Sequence, residues 1–171
     1  MLSTNHFFCY RAKIAVIFLL LFASLEACTR PKSSANRIPE KAQDALNGAS
    51  QLTLFSIDPN LVAGERPDNE VFHRYRILGK LEMSSQESRR QVVQQLEKDV
   101  LNWDGNYVMC FNPRHAIRAR SGSIDYDFLL CYECERVELY SGNELLSTLG
   151  IGGYSNYFDG LLKAANIPIA K

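Results

Sequence analysis

Ser121-Gly122-Ser123-Ile124 constrains this chain more than any other stretch. Gly followed by Ser at the centre of a four-residue turn is the signature of a two-residue type II′ hairpin, whose twist suits the strands on either side. A turn this short sets the register of everything flanking it. Ser121 faces Ile124, Arg120 faces Asp125, Arg118 faces Asp127 and Ile117 faces Phe128, so opposite charges meet on one face and apolar side chains on the other. The second strand alternates in the same phase, with Tyr126, Phe128, Leu130, Tyr132 and Cys134 on the apolar side and Asp127, Leu129, Cys131 and Glu133 opposite. After Cys134 the phase slips to Val137 and Leu139, which predicts a bulge or bend near Glu135 and Arg136. Asp125 and Asp127 neutralise two members of the set Arg114, Arg118 and Arg120, so a solvated, charge-paired face is expected in place of an anion site.

The same register, followed backwards, sets Cys110 opposite Glu135. Pro113 intervenes, and a proline inside a strand marks an edge or a bulge. One extra residue there moves Cys110 opposite Cys134, which makes Cys110 and Cys134 the expected close pair and a possible disulfide. The Cys131-Tyr132-Glu133-Cys134 motif has a redox and a zinc reading. A redox CxxC begins at a helix N-terminus, where the dipole lowers the thiol pKa. Tyr126 to Leu139 reads as strand, where residues three apart point to opposite faces unless a tight turn intervenes. A tetrahedral zinc set of Cys110, His115, Cys131 and Cys134 can be written, without the paired CxxC knuckles of a zinc finger. One disulfide plus a buried thiol, three plain core cysteines, and a metal or catalytic site all stay open. His115, after the turn-like Asn112-Pro113-Arg114, is either bonded to nearby backbone or the base for a cysteine nucleophile.

The N-terminus is an address. Met1 to Lys13 holds Arg11 and Lys13 and no acid, and Ile14 to Leu25 is an apolar run too short for a comfortable span and right for a signal-peptide core. It ends in Leu25-Glu26-Ala27-Cys28, which resembles the lipobox of bacterial lipoproteins, with Glu26 where that pattern favours a small residue. The resemblance implies cleavage after residue 27 and fatty acylation of Cys28, by diacylglyceryl and palmitate chains. Residues 28–50 then read as a lipidated cysteine and a Pro/Ser/Ala/Lys-rich tether, with a transient helical turn at Ala42 to Leu46, and residues 51–171 as one domain. The mature chain keeps 17 basic against 18 acidic residues, which offers no field for nucleic acid. With Cys9 removed and Cys28 acylated, three cysteines remain, and at most one internal disulfide forms.

Within the domain, Gln51 to Ile57 alternates as a strand ended by Asp58-Pro59-Asn60. Glu70 to Met83 reads as one long strand with a bulge at Gly79, and places His73 among apolar neighbours as a core or edge histidine. Ser84 to Asn102 is the clearest helix, with a Ser84/Glu87 capping box and a stripe of Val92, Val93, Leu96, Val100 and Leu101. Trp103 is expected to close the core below it. A turn at Ser141-Gly142-Asn143, a strand over Glu144 to Leu149, and a helix over Asn156 to Ala165 complete the chain. Gly150, Gly152 and Gly153 lack the lysine and the βαβ context of a phosphate loop, so they are expected to let the chain pass close to the core.

These pieces predict an α+β domain, a mostly antiparallel sheet of about five or six strands with two helices packed on one face. No Rossmann or P-loop unit is present and no cofactor is expected. The Cys110-to-His115 segment with the CxxC resembles paired segments in uncharacterised bacterial proteins, a resemblance that implies no activity. The leading expectation is a non-enzymatic, lipid-anchored protein of the bacterial envelope, periplasm-facing, that binds another protein or a small envelope ligand. Its membrane contact comes through the acyl chains. Thr29 after the acylated cysteine resembles outer-membrane lipoproteins of enteric bacteria. The alternatives are a thiol- or zinc-dependent envelope protein using Cys110, His115, Cys131 and Cys134, and an envelope immunity or inhibitor protein.

Overall fold

The glycine-serine turn forms where the alternation places it. In the computed structural model, which describes residues 36–61, 70–106 and 108–171, His115–Ser121 (β4) and Ile124–Cys131 (β5) pair antiparallel. Ser121 lies opposite Ile124, Arg120 opposite Asp125, Arg118 opposite Asp127 and Ile117 opposite Phe128. Gly122 has φ +61° and Ser123 stays at negative φ, as a type II′ turn requires. The expected signal peptide, the lipobox-like segment with Cys28 and the first part of the expected tether lie outside the described residues.

Gln51–Leu61 (β1), Val71–Phe72 (β2), Tyr75–Glu82 (β3), Arg136–Ser141 (β6) and Glu144–Gly150 (β7) complete one sheet. Its order is β2-β3-β1-β4-β5-β6-β7, antiparallel throughout. Glu40–Asn47 (α1), Gln86–Leu101 (α2) and Asn156–Ala164 (α3) are the described helices. The α+β class stands. Among the described residues, seven strands and three helices replace the expected five or six and two: two stretches read as single strands each fold back on themselves, and the expected tether holds the additional helix.

The first fold-back is at His73-Arg74, a two-residue turn that pairs Phe72 with Tyr75. His73 enters it at φ +55°, which a residue with a Cβ rarely adopts. Because neither residue is Gly, Asn or Pro, alternation runs straight through the turn. The second is Tyr132 to Glu135, which separates β5 from β6, with Glu135 at φ +51°. The expected bend near Glu135 is therefore a complete reversal.

The sheet has two unlike faces. Leu52, Leu54, Ile117, Phe128, Leu130 and Leu139 point to the helices, and meet Leu46 of α1, Leu96 of α2 and Phe158 and Leu162 of α3. Each such fully buried side chain contributes about 1.5–3 kcal/mol. The opposite face carries a smaller cluster, Phe55, Ile57, Phe72, Tyr75, Ala116 and Leu129, to which no described helix contributes.

Helix α1 overturns part of the expected tether. Its Ala42, Ala45 and Leu46 recur at helical spacing and are 0–3 % exposed. Eight residues are too few to hold a helix in water, so this packing is what makes it. Upstream, the Asn36 amide donates to the carbonyls of Val100 (2.8 Å) and Gly150 (3.2 Å), and its Oδ1 accepts from Gly150 N–H (2.6 Å). The folded unit thus begins by residue 36 and not at 51.

Smaller corrections have local causes. The cap of α2 is one residue later than expected: Ser85 Oγ accepts from Ser88 N–H (3.0 Å), and Ser88 Oγ accepts from Ser85 N–H (3.3 Å). Glu87 binds Arg90 and Gln91 instead. Leu101 is 53 % exposed, and Asp99 takes the inward place. β1 runs on through Asp58-Pro59-Asn60 to Leu61 by an irregular register. The bulge expected at Gly79 falls on Leu78, since Ser56 faces Gly79 and Ile57 faces Ile77. Gly79 has another reason: a Cβ there would lie 2.6 Å from Ile167 Cγ2 in the C-terminal tail. Gly150 and Gly152 pass close to the core as expected, against Trp103 and the Asn102 carbonyl. No described helix is long and apolar enough to cross a membrane.

Candidate functional site

The helix-free face is where the chemistry-bearing side chains gather. Alternation along β5 puts Asp127 there between the buried Phe128 and Tyr126, and leaves its carboxylate 1 % exposed. Burying that charge is tolerable only with partners. Arg118, its cross-strand neighbour, supplies a bidentate clamp, Nε to Oδ1 at 2.7 Å and Nη2 to Oδ2 at 2.6 Å. His73 Nε2 reaches the same Oδ2 at 2.9 Å. The unusual backbone at His73 is thus tied to a ring contact with a buried acid. The Asp127 hydrogen bonds hold the Arg118 guanidinium above its usual range. Its expected role as a solvated pair applies only to Arg120 and Asp125, which are more exposed.

A second ionic group lies beside the first. Glu138 accepts from Tyr140 OH (2.7 Å) and Arg136 (3.1 Å), and Arg74 approaches to 3.6 Å. Burial first, and then Glu138, push the Tyr140 hydroxyl up to about 12. The cations also stack on rings: Arg118 stands 4.8 Å from the Phe72 centroid, Arg136 4.5 Å from Phe111, and Arg74 5.5 Å from Tyr75. His73 and Tyr140 sit with centroids 4.3 Å apart. A shallow hollow of about 210 Å³ opens between Lys80, Glu82, Phe55, Arg118 and Arg120 on the same face. Sequence reasoning missed Glu138, Tyr140 and the tie between His73 and Asp127. Only the charge at Asp127 inside an otherwise apolar strand signalled it.

At the end of this face are three sulfurs. The possible Cys110–Cys134 disulfide gives way to Cys131–Cys134, with Cα atoms 5.2 Å apart. The reason is the turn at Tyr132 to Glu135, which brings together side chains that a continuous strand would have sent to opposite faces. The expected closeness of Cys110 to Cys134 is nonetheless found: their Sγ atoms are 3.2 Å apart, and Cys110 is a free, exposed thiol. The Asn112 N–H donates to both Cys131 Sγ and Cys134 Sγ at 3.4 Å.

His115 is not with them. It pairs across the sheet with Ser56 and Leu130, whose side chains face the helices, while Cys131 has the parity of Leu129 and Asp127 on the other side. Its Nε2 lies 2.9 Å from Asp159 Oδ1 of α3, but off the hydrogen-bond axis, so neither buried atom has a linear partner. Burial, outweighing Asp159, holds the imidazole below its usual pKa and so favours the neutral ring. Nearby, Asp99 accepts from Tyr132 OH (2.7 Å) and Gln95 (2.8 Å), and burial raises both the carboxyl and the phenol. The set Cys110, His115, Cys131 and Cys134 does not converge, and no three His, Cys, Asp or Glu side chains among the described residues do so in a way that would hold a metal ion. Arg114, the third arginine of the hairpin, pairs with Glu133 at 2.9 Å.

No protein family, no curated protein and no solved structure matches this chain.

Proposed function

We propose that this chain is a lipid-anchored protein of the bacterial envelope, held through Cys28, whose domain works as a binding module for another envelope protein. The observation that carries the reading is the helix-free face, where arginines are fixed at once by carboxylates and by aromatic rings. Arg74 keeps 54 % of its side chain in water while Glu138 and the Tyr75 ring set its position, and Arg120 keeps 47 % while a bidentate pair with Asp125 sets its own. Pre-positioned Arg and Tyr side chains lose little entropy on association and are the residue types that dominate binding energies. His73 supports it, since unfavourable backbone conformations persist where the surroundings over-determine them, and such sites cluster at binding surfaces. Arg74, at 3.6 Å from Glu138, keeps capacity for an acidic group of the partner.

The test has two halves. Cys28→Ala should abolish palmitate labelling and release the chain from the membrane fraction. Arg74→Glu with Arg120→Glu, compared with Arg90→Glu on the helix side, should weaken binding to an envelope protein captured by the native chain by about 10-fold or more. Equal binding by all three proteins would remove the face from consideration.

A further inference from the structure

A third sulfur lies in contact with the disulfide. Cys110 Sγ lies 3.2 Å from Cys134 Sγ, and Cys134 is already bonded to Cys131. The bonded pair is shielded, with Cys131 1 % and Cys134 0 % exposed, whereas Cys110 beside it is exposed. Val108 N–H donates to the Cys134 carbonyl at 3.4 Å and lays the segment containing Cys110 across the CxxC turn. From that segment the Asn112 N–H points at both bonded sulfurs. A donor so placed stabilises negative charge on a departing sulfur.

The geometry points to a thiol–disulfide exchange site of three sulfurs, in which Cys134 is shared and the bond moves between Cys131–Cys134 and Cys110–Cys134. Cys110 gives its proton to water, and the thiolate attacks Cys134 Sγ. The Cys110–Cys134 bond forms as the Cys131–Cys134 bond breaks. The electron pair of the broken bond leaves on Cys131, which accepts from Asn112 N–H and takes up one proton. Nothing is oxidised or reduced overall, and no outside reactant is consumed. The two forms differ in what they offer. One presents a thiol at the surface on Cys110, open to exchange with an external disulfide. The other hides its thiol on Cys131 and ties the segment before β4 to the β5–β6 turn. The inference stands apart from the binding role of the neighbouring face.

The experiment uses the full chain in detergent, with no reductant. Unfolding it in excess N-ethylmaleimide at low pH, where exchange is stalled, and cleaving with trypsin and a glutamate-specific protease separates Cys131 from Cys134 at Glu133. Label is expected on both Cys110 and Cys131, and none on Cys134. Prior treatment of the folded protein at pH 8 with a bulky maleimide, which reaches only exposed thiols, should drain the Cys131 signal completely into Cys110. Oxidised Cys131→Ser should yield a linked Cys110–Cys134 peptide. Label confined to Cys110, or a Cys131 fraction that does not drain, would overturn the proposal, as would a Cys131→Ser protein with both remaining thiols free.

Discussion

On β5, Phe128 and Leu130 face the helices and are wholly buried among apolar side chains, whereas Asp127, next to Phe128 in sequence, is as deeply buried on the other face among an arginine, a histidine and aromatic rings. The two sides of one strand are equally dry and unequally specific. The helix side is held by contact area, which tolerates changes of shape that conserve volume. The other side is held by directional bonds between charges, where the loss of one member strands the rest. Such a network contributes little net stability for its complexity, but it fixes side chains in place, which is what a recognising surface requires.

The comparison breaks most readily at the helix side. Phe128→Ala removes a fully buried ring and should lower stability by about 3–5 kcal/mol, read from the midpoint of urea unfolding. Phe128→Leu should lose far less. If both cost the same, volume is not what holds that face.

On the ionic side, Asp127→Ala leaves Arg118 and His73 without their acceptor. The expected loss is near the lower end of about 3–5 kcal/mol, because Arg118 keeps 34 % of its side chain in water. Asp125→Ala, removing the more exposed carboxylate of the same strand, should shift stability by less than about 1 kcal/mol. Similar losses for the two would mean that the buried pair is held no more tightly than a surface one.

A pH titration sharpens the contrast, since His115 lies on the helix side and His73 on the other. Burial depresses the folded pKa of His115 below the ordinary imidazole value of about 6.5, with Asp159 opposing and Arg114 and Lys163 assisting. Its neutral form is therefore the stable one in the fold. The associated stability is present above about pH 6.5 and is lost as pH falls through the depressed value, by no more than about 1.4 kcal/mol per pH unit for a single proton. His115→Gln should flatten that part of the profile. An unchanged slope would place the responsible proton elsewhere.

How far this contrast could be read in advance depended on whether a turn carries a chemical mark. The β4–β5 hairpin came out residue for residue, because Gly122 fixes the turn and Arg118, Arg120, Asp125 and Asp127 report the register. His73-Arg74 and Tyr132 to Glu135 reverse the chain without Gly at the critical positions, so alternation alone runs through them. Their consequences spread. Missing the second turn moved the disulfide from Cys131–Cys134 to Cys110–Cys134, and missing the first hid the tie between His73 and Asp127. α1 was legible only as a transient helical turn at Ala42 to Leu46, for a different reason: its composition is that of a tether, and tertiary contact at Ala42, Ala45 and Leu46 makes it a stable helix.

The smallest expected effect isolates the backbone at His73. His73→Gly and His73→Val both remove the imidazole and its 2.9 Å contact with Asp127, so that loss cancels between them. They differ in backbone freedom: φ +55° is open to glycine and strongly disfavoured for a β-branched residue. Valine there carries a gross penalty of about 1–2 kcal/mol, the scale of the left-handed conformation. Glycine's greater freedom in the unfolded chain works against that penalty by roughly 0.5–1 kcal/mol, so the valine protein should stay the less stable of the two, by a margin to be measured against Gly/Val exchange at an ordinary β-strand position. Valine the more stable of the two, as it is at an ordinary β-strand position, would mean that the turn relaxes once the histidine is gone. Strain at this position would then be a consequence of the His73 contact with Asp127, and the ring would hold the backbone instead of the reverse.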